Sequence, residues 1–205
     1  FYWDSYADTQ WANLESQADE LAEFFNLIWI PQSGKSANYP NNSMGYDDLY
    51  WFTDYTSSFG NEDQLRSMIS TFKAKGLGTI ADVVINHRAS LADTWMSFPV
   101  ETYNGITYKM LPSDICANDD NGKAAANAEI KPTGANDSGD DFDGARDIDH
   151  SSQNVQTMVK AYLDMLLNDF GYTGFRYDMV KGYAPKYTGM YNTDANPEYS
   201  VGEYW

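Results

Sequence analysis

Cysteine and histidine are scarce in this 205-residue chain, and their scarcity excludes several kinds of site. The single cysteine, Cys116, has no partner for a disulfide within the chain and cannot build a zinc or iron–sulfur centre that needs several thiolates. Only two histidines occur, His87 and His150, so a three-histidine metal centre is excluded as well.

Basic residues and long apolar runs are also lacking. Thirteen lysines and arginines face thirty acidic residues, which gives a formal net charge of -17 at pH 7. Such a chain repels phosphates and anionic lipid surfaces, so neither nucleic acid nor a membrane is expected as a partner. No apolar run approaches the roughly 18 residues that a membrane helix needs. Since 42% of the residues are hydrophobic and 16% are aromatic, the chain can bury a sizeable core.

Hydrophobic periodicity predicts helices that alternate with short strands. Helical spacing of apolar residues covers 9–25, 61–76 and 155–170, and Asn61 is predicted to cap the second helix because Gln64 follows three residues later. About five strands are expected, near Tyr2, Ile28, Val84, Phe175 and Val201. This alternation is typical of βαβ units, so the predicted fold class is α/β with a parallel sheet.

Residues 88–146 interrupt the rhythm and are rich in Asp, Asn, Gly and Pro. The stretch is too long for an ordinary loop, which predicts a small irregular domain or lid. Ten acidic residues against three basic ones lie between Asp114 and Asp149. Such a cluster repels itself unless a cation binds, and a hard cation such as calcium suits carboxylate ligands. A solvated acidic loop is the alternative.

Polar residues follow the predicted strands, where a parallel sheet collects its functional groups. Asp178 and Glu203 end two strands that are expected to be adjacent, so their carboxyl groups are expected to meet across a cleft. Retaining glycosidases need two carboxyl groups about 5 to 5.5 Å apart. Arg176, on the same strand face as Asp178, would keep that carboxylate ionised. A structural salt bridge is the alternative.

Several segments resemble, in order, the motifs of the α-amylase family (glycoside hydrolase family 13). The three main ones are DVVINH at 82–87, GFRYDMVKG at 174–182 and VGEYW at 201–205. FYWD at 1–4 and SMGYD at 43–47 are similar to the plant-type and archaeal branches in particular. The resemblance covers the whole chain and implies a partial TIM (β/α)8 barrel, about strands one to five, with an irregular inserted calcium-binding domain B after the third strand.

The resemblance also implies a domain division. Residues 1–88 would be the first part of the catalytic barrel, 89–146 the inserted domain, and 147–205 the continuing barrel. The family's third catalytic carboxylate and later strands are not found in these 205 residues, and five strands cannot close a barrel. The chain is therefore expected to be the N-terminal part of a longer protein, to need the remainder of the barrel as its partner, and to have little activity alone.

The resemblance assigns roles to particular residues. Asp178 would be the nucleophile, Glu203 the general acid and base, and Arg176 the group that holds the nucleophile. Sugar-contacting positions would be Tyr46, His87, Lys181 and Trp205. Calcium, the implied cofactor, would bind Asn86, Asp137, Asp140, Asp147 and Gly182, with Asp140 and Gly182 giving backbone carbonyl oxygens. Asp141 and Asp143 are assigned to an additional ion.

The implied function is retaining endo-hydrolysis of α-1,4-glucosidic bonds in glucans of the starch or glycogen type. A transglycosylase or an α-1,6-acting enzyme of the same family is the enzymatic alternative. A carbohydrate-binding relative without catalysis, or a plain calcium-binding module, is the non-enzymatic one. Large glucans are usually met outside the cell, so a secreted, extracellular location is expected from the substrate alone.

Overall fold

The protein is described here by a computed structural model that covers residues 4–91 and 95–204. Its α-helices are α1 (Trp11–Ser16), α2 (Ala18–Phe24), α3 (Glu62–Ala74), α4 (Lys123–Asn127), α5 (Gln153–Asp164) and α6 (Pro185–Ala195), and a π-helix over Met165–Phe170 continues α5. Its strands are β1 (Leu27–Ile30), β2 (Gly78–Val83), β3 (His87–Arg88), β4 (Glu101–Tyr103), β5 (Ile106–Tyr108), β6 (Arg146–Asp147), β7 (Gly174–Tyr177) and β8 (Tyr199–Gly202). In these ranges no helix is both long and apolar enough to cross a lipid bilayer.

Four parallel strands form the central sheet in the order β1-β2-β7-β8. These are four of the five predicted strands, and the fifth, near Tyr2, lies outside the described residues. The register pairs Asp82 with Arg176 and Tyr177 with Gly202. Because all four strands run the same way, their carboxyl ends share one edge, and the segments that follow β2, β7 and β8 meet there.

Helix α3 begins where the sequence predicts. The Asn61 side chain accepts a hydrogen bond from the Gln64 backbone N–H, and the Gln64 side chain accepts one from the Asn61 N–H, each at 3.0 Å. This capping box satisfies two N–H groups that the first turn would otherwise leave unpaired. Leu65, Met68 and Phe72 form the buried face that packs on the sheet.

The predicted helix over 9–25 is instead two helices. At Gln17 the backbone has φ -96° and ψ 4°, which ends α1 before α2 begins. Trp11, Leu14 and Ala18 are nevertheless buried, as helical spacing requires. The hydrophobic period therefore identified the buried face of α1 and the start of α2 but not the break in the backbone, and it was wrong for Phe25, which is exposed.

Residues 88–146 form the irregular region that their composition predicts. Strands β3 and β6 pair antiparallel at its two ends, so the chain leaves and re-enters the main fold side by side. Between them lie the β4–β5 hairpin, α4 and two 3-10 turns. The proposed boundaries at 88/89 and 146/147 stay predictions.

Helix α6 was not predicted from the sequence. Tyr187 and Tyr191 are its buried residues, and the remaining positions are too polar to give a helical period. Its start is nevertheless marked by Pro185, whose fixed φ suits the first position of a helix. Helix α6 lies between β7 and β8 in the chain and packs on α5.

Candidate active site

The two carboxylates singled out from the sequence lie together at the carboxyl edge of the sheet. Asp178 directly follows β7, and Glu203 directly follows β8. Arg176 joins them: Nη1 is 2.8 Å from Asp178 Oδ1, and Nη2 is 2.6 Å from Glu203 Oε1. One guanidinium therefore holds both carboxylates on the same side of the molecule.

A third carboxylate, Asp82 at the end of β2, completes this cluster and was not assigned a role from the sequence. Arg176 Nη1 is 2.8 Å from Asp82 Oδ1. The Tyr46 hydroxyl and the Trp29 indole N–H both donate to Asp82 Oδ2, at 3.0 and 3.2 Å. A signal was available in the sequence, since Asp82 is a charged residue inside an otherwise apolar strand. Such a residue needs a buried partner.

The three carboxylates differ in exposure. Asp82 is 2% exposed and Asp178 7% exposed, whereas the Glu203 side chain is 37% exposed. Glu203 Oε2 also accepts a hydrogen bond from the Met179 N–H at 3.2 Å. Glu203 is therefore fixed in position yet accessible to a ligand.

Burial perturbs the two enclosed carboxyl groups. It raises the pKa of Asp178 to about 7, and the neighbouring charge of Asp82 acts in the same direction while Arg176 opposes it. Burial likewise raises the pKa of Asp82 to about 6, again opposed by Arg176. Three carboxylates share one guanidinium here, so the cluster holds protons more readily than isolated aspartates do.

The predicted sugar-contacting residues lie in different surroundings. Tyr46 is half-buried, and its ring centroid is 5.8 Å from the Arg176 guanidinium carbon. Lys181 Nζ is 3.3 Å from Asp140 Oδ2. Trp205 lies outside the described residues.

His87 is only 1% exposed, and protein groups contact both of its ring nitrogens. Nε2 is 2.8 Å from the Tyr46 carbonyl oxygen, and Nδ1 is 3.2 Å from Asn86 Nδ2. Because an amide NH₂ donates, Nδ1 must accept and Nε2 carries the proton. Burial lowers the pKa of His87 to about 4, which agrees with a neutral ring. In this structure His87 supports the Tyr46 backbone, and its contact with a sugar stays a prediction.

Four of the five predicted calcium ligands converge beside His87. Asn86 Nδ2 is 3.3 Å from Asp147 Oδ1, and single oxygens of Asp137, Asp141 and Asp147 lie within 4.8 Å of one another. Gly182 adjoins Asn86 so closely that a Cβ at position 182 would stand 2.0 Å from Asn86 Oδ1. Asp141, which the sequence assigned to an additional ion, thus belongs to this same cluster.

Two oxygen atoms in this cluster are buried without a hydrogen-bond partner in the described part of the chain, Asn86 Oδ1 and Asp137 Oδ2. Burial is also the main cause that raises the pKa of Asp147, to about 9. Crowded carboxylates and unpaired oxygens are what a hard cation would relieve, so these residues fit calcium. The Asp140 side chain points to Lys181, and the Asp140 N–H donates to the Lys181 carbonyl oxygen at 3.0 Å. The expected role of Asp140, a backbone carbonyl ligand, stays a prediction.

Comparison with known proteins adds to this geometry. No family model matches the chain. "Alpha-amylase 3, chloroplastic" of Arabidopsis thaliana is 30% identical over 207 residues, which cover 100% of this chain and 22% of that protein. "Probable alpha-amylase 2" of the same plant is 29% identical over 208 residues and is covered to 46% of its length. The chain thus spans less than half of these relatives.

Solved structures agree on the fold. An α-amylase from Malbranchea cinnamomea superposes with a TM-score of 0.65 at 23% identity, over 96% of this chain and 40% of that one. An α-amylase from Geobacillus thermoleovorans, solved with acarbose, gives a TM-score of 0.66 at 16% identity over the same shares.

Four parallel strands with carboxylates at their carboxyl edge match part of the TIM-barrel fold of these solved α-amylases. Over its whole length the chain is homologous to the α-amylases of glycoside hydrolase family 13.

Proposed function

We propose that the intact protein containing this chain hydrolyses α-1,4-glucosidic bonds within starch- or glycogen-type glucans, with retention of anomeric configuration. The observation that carries the proposal is the Arg176 guanidinium, which holds Asp178 and Glu203 at the ends of adjacent strands. The names of the homologous α-amylases supply the substrate class.

In this mechanism Asp178 attacks the anomeric carbon of the bound sugar while Glu203 gives its proton to the departing glycosidic oxygen. The glycosidic bond breaks, and an ester between the sugar and Asp178 forms. The ionised Glu203 then takes a proton from a water molecule as the water oxygen attacks the anomeric carbon, so the bond between that carbon and Asp178 breaks and the Asp178 carboxylate is released. The positive charge of Arg176 favours the ionised form of Asp178 before the first displacement and again after the second.

The roles of the surrounding residues follow from the same proposal. Tyr46 offers an aromatic face to the sugar on the non-leaving side, with His87 behind it. Lys181 and Trp205 would contact the leaving side. A location outside the cell belongs to the proposal too, because polymeric glucans are usually met there.

We also propose that calcium ties the inserted region to the barrel. Asn86, Asp137 and Asp147 would give side-chain oxygens, while Asp140 and Gly182 would give carbonyl oxygens. The two unpartnered buried oxygens and the close carboxylate cluster support this assignment. When bound, the ion would supply positive charge that offsets the repulsion among these carboxylates.

Product analysis tests the reaction. The intact protein is expected to cleave amylose internally, and proton NMR should detect the α anomer at the new reducing ends before mutarotation, because two successive displacements restore the configuration. Initial formation of the β anomer would exclude a covalent intermediate. A predominance of transfer products, or preferential cleavage of branch points, would favour the transglycosylase or α-1,6-acting alternative.

The 205-residue chain alone is proposed to have little turnover.

Asp82→Asn is expected to shift the pH dependence of the intact enzyme. The charge of Asp82 raises the pKa of Asp178, so its removal should lower that pKa and leave Arg176 Nη1 to Asp178 alone. The acidic limb of kcat/KM for amylose should move to lower pH by about one unit. The control variant Asp63→Asn removes an exposed charge on α3 and should leave the acidic limb of the pH profile unchanged. If the acidic limb of Asp82→Asn stays in place or moves to higher pH, the charge of Asp82 does not raise the pKa of Asp178 as stated.

A further inference from the structure

The segment over residues 46–53, which we call the tyrosine loop, carries Tyr46 to the active site but lies outside the helices and strands. Segments of this kind are usually the more mobile parts of a protein. Tyr46 nevertheless has a defined place, because its hydroxyl donates to Asp82 Oδ2 at 3.0 Å and its ring lies beside the Arg176 guanidinium. The contacts that hold the backbone of the tyrosine loop therefore decide where Tyr46 lies.

Several of these contacts come from the start of the inserted region. Besides the contact of His87 with this loop, the Ala89 N–H donates to the Asp48 carbonyl oxygen at 3.0 Å. Arg88 donates from Nε and Nη2 to the Leu49 carbonyl oxygen, at 3.1 and 2.8 Å. Three consecutive residues of the chain thus bind the backbone of the tyrosine loop.

Glu101, at the start of β4, binds the second half of the loop. Its Oε1 accepts from the Trp51 N–H at 3.1 Å, and its Oε2 accepts from the Phe52 N–H at 2.8 Å. The Thr53 N–H and hydroxyl also donate to Oε2, at 2.9 and 3.0 Å. Arg88 Nη2 is 2.5 Å from Oε1, and the side chains of this ion pair are each 1% exposed. Loop backbone, loop hydroxyl and guanidinium therefore converge on one buried carboxylate.

A buried ion pair is an unusual way to stabilise a loop. Taking two charges out of water is costly, and apolar residues of similar volume often stabilise a fold as well or better. A carboxylate that accepts from three consecutive N–H groups does something that apolar packing cannot, because it fixes the direction of each peptide group. Such a contact suits a loop whose side chain must be in place before a ligand arrives.

We propose that Arg88 and Glu101 are positioning residues for the hydrolysis, which hold the tyrosine loop so that Tyr46 is already oriented when the sugar binds. The inference rests on the proposed function, which gives Tyr46 its contact with the sugar on the non-leaving side. A loop that is ordered beforehand loses less conformational entropy on binding. The inserted region thus acts on the sugar site through β3 and β4, and not only through its calcium ligands.

A double-mutant cycle in the intact enzyme separates positioning from stability. Tyr46→Ala should lower kcat/KM for maltohexaose about 100-fold, and Glu101→Gln about tenfold, since an amide offers one acceptor oxygen to donors that now share two. Because Glu101 acts through Tyr46, the double variant should lie no more than about twofold below Tyr46→Ala alone. A merely structural role predicts instead that the two losses multiply.

Thr53→Val is a milder form of the same test, since it removes the hydroxyl bond to Glu101 and leaves the ion pair with Arg88 in place. It should lower kcat/KM for maltohexaose about two- to fivefold, and this loss should vanish in the Tyr46→Ala background. Thr102→Val is the matched control, because the Thr102 hydroxyl pairs with the Thr107 hydroxyl on the exposed side of the hairpin. It should leave kcat/KM unchanged.

Three results would overturn the inference. They are an unchanged kcat/KM in both Glu101→Gln and Thr53→Val, losses that multiply with that of Tyr46→Ala, and an unchanged kcat/KM in Tyr46→Ala itself. If Glu101→Gln does not fold, the cycle with Thr53→Val decides between the outcomes. An unmodified enzyme that leaves maltohexaose intact would refute the proposed function, which is a distinct result.

Discussion

Asp178→Asn in the intact enzyme is expected to lower kcat/KM for starch by about 10⁴-fold or more. An amide cannot act as the nucleophile, and the loss of one member of a cooperating catalytic group removes most of the rate enhancement. Substrate binding should be retained, because the amide occupies the same space beside Arg176. Steady-state kinetics on amylose, together with a binding isotherm for a maltooligosaccharide, measures both effects.

The control for this variant is Asp63→Asn, which removes a carboxylate at the exposed start of α3 and should leave kcat/KM unchanged. Turnover by Asp178→Asn at a rate within tenfold of the unmodified enzyme would remove Asp178 from the mechanism. The carbohydrate-binding relative without catalysis is supported only if the unmodified intact protein binds the oligosaccharide and turns over no substrate.

The second large effect concerns calcium. For the intact enzyme, removal of calcium with a chelator is expected to lower the melting temperature by about 10 °C, since saturation of a specific site at about 1,000 times its Kd contributes about 4 kcal/mol. Asp147→Asn should abolish most of this calcium-dependent shift, because it removes the most buried carboxylate of the cluster.

Glu129→Gln is the matched control for the calcium prediction. Glu129 lies in the same acidic region but is exposed and lies outside the three-carboxylate cluster. It should keep the calcium-dependent shift in melting temperature, as followed by circular dichroism with calcium or with chelator. Equal shifts in Asp147→Asn and the unmodified enzyme would show that the cluster does not bind the stabilising ion.

Local signals in the sequence predicted much of the fold because they act over a few residues. The Asn61–Gln64 capping box needs only a spacing of three, and the apolar runs around Ile28, Val84 and Phe175 identify strands without tertiary information. The expectation that all three are buried holds for β2 and β7 but is wrong for β1, where only Ile30 is buried. The closeness of Asp178 and Glu203 also followed from local reasoning, since each ends a strand and parallel strands share an edge.

Features that depend on long-range contacts could not be predicted in the same way. The sequence marks Asp82 as a charged residue in an apolar strand, but its partners Tyr46, Trp29 and Arg176 come from three separate segments and become visible only in the fold. The membership of Asp141 in the cluster depends on the fold of a loop that lacks periodicity. Helix α6 is stabilised by two buried tyrosines rather than by a continuous apolar face, so its sequence pattern is weak.

The covalent intermediate on Asp178 is the central claim, and trapping it is the most direct test. The intact Glu203→Gln enzyme is incubated with a 5-fluoro-α-glucosyl fluoride, whose fluoride leaves without acid assistance and whose ester is then hydrolysed slowly without a general base. Mass spectrometry of the digested protein should find one added fluoroglucosyl group on the peptide that contains Asp178. A label on a different carboxylate, or fluoride release with no labelled peptide, would contradict the account.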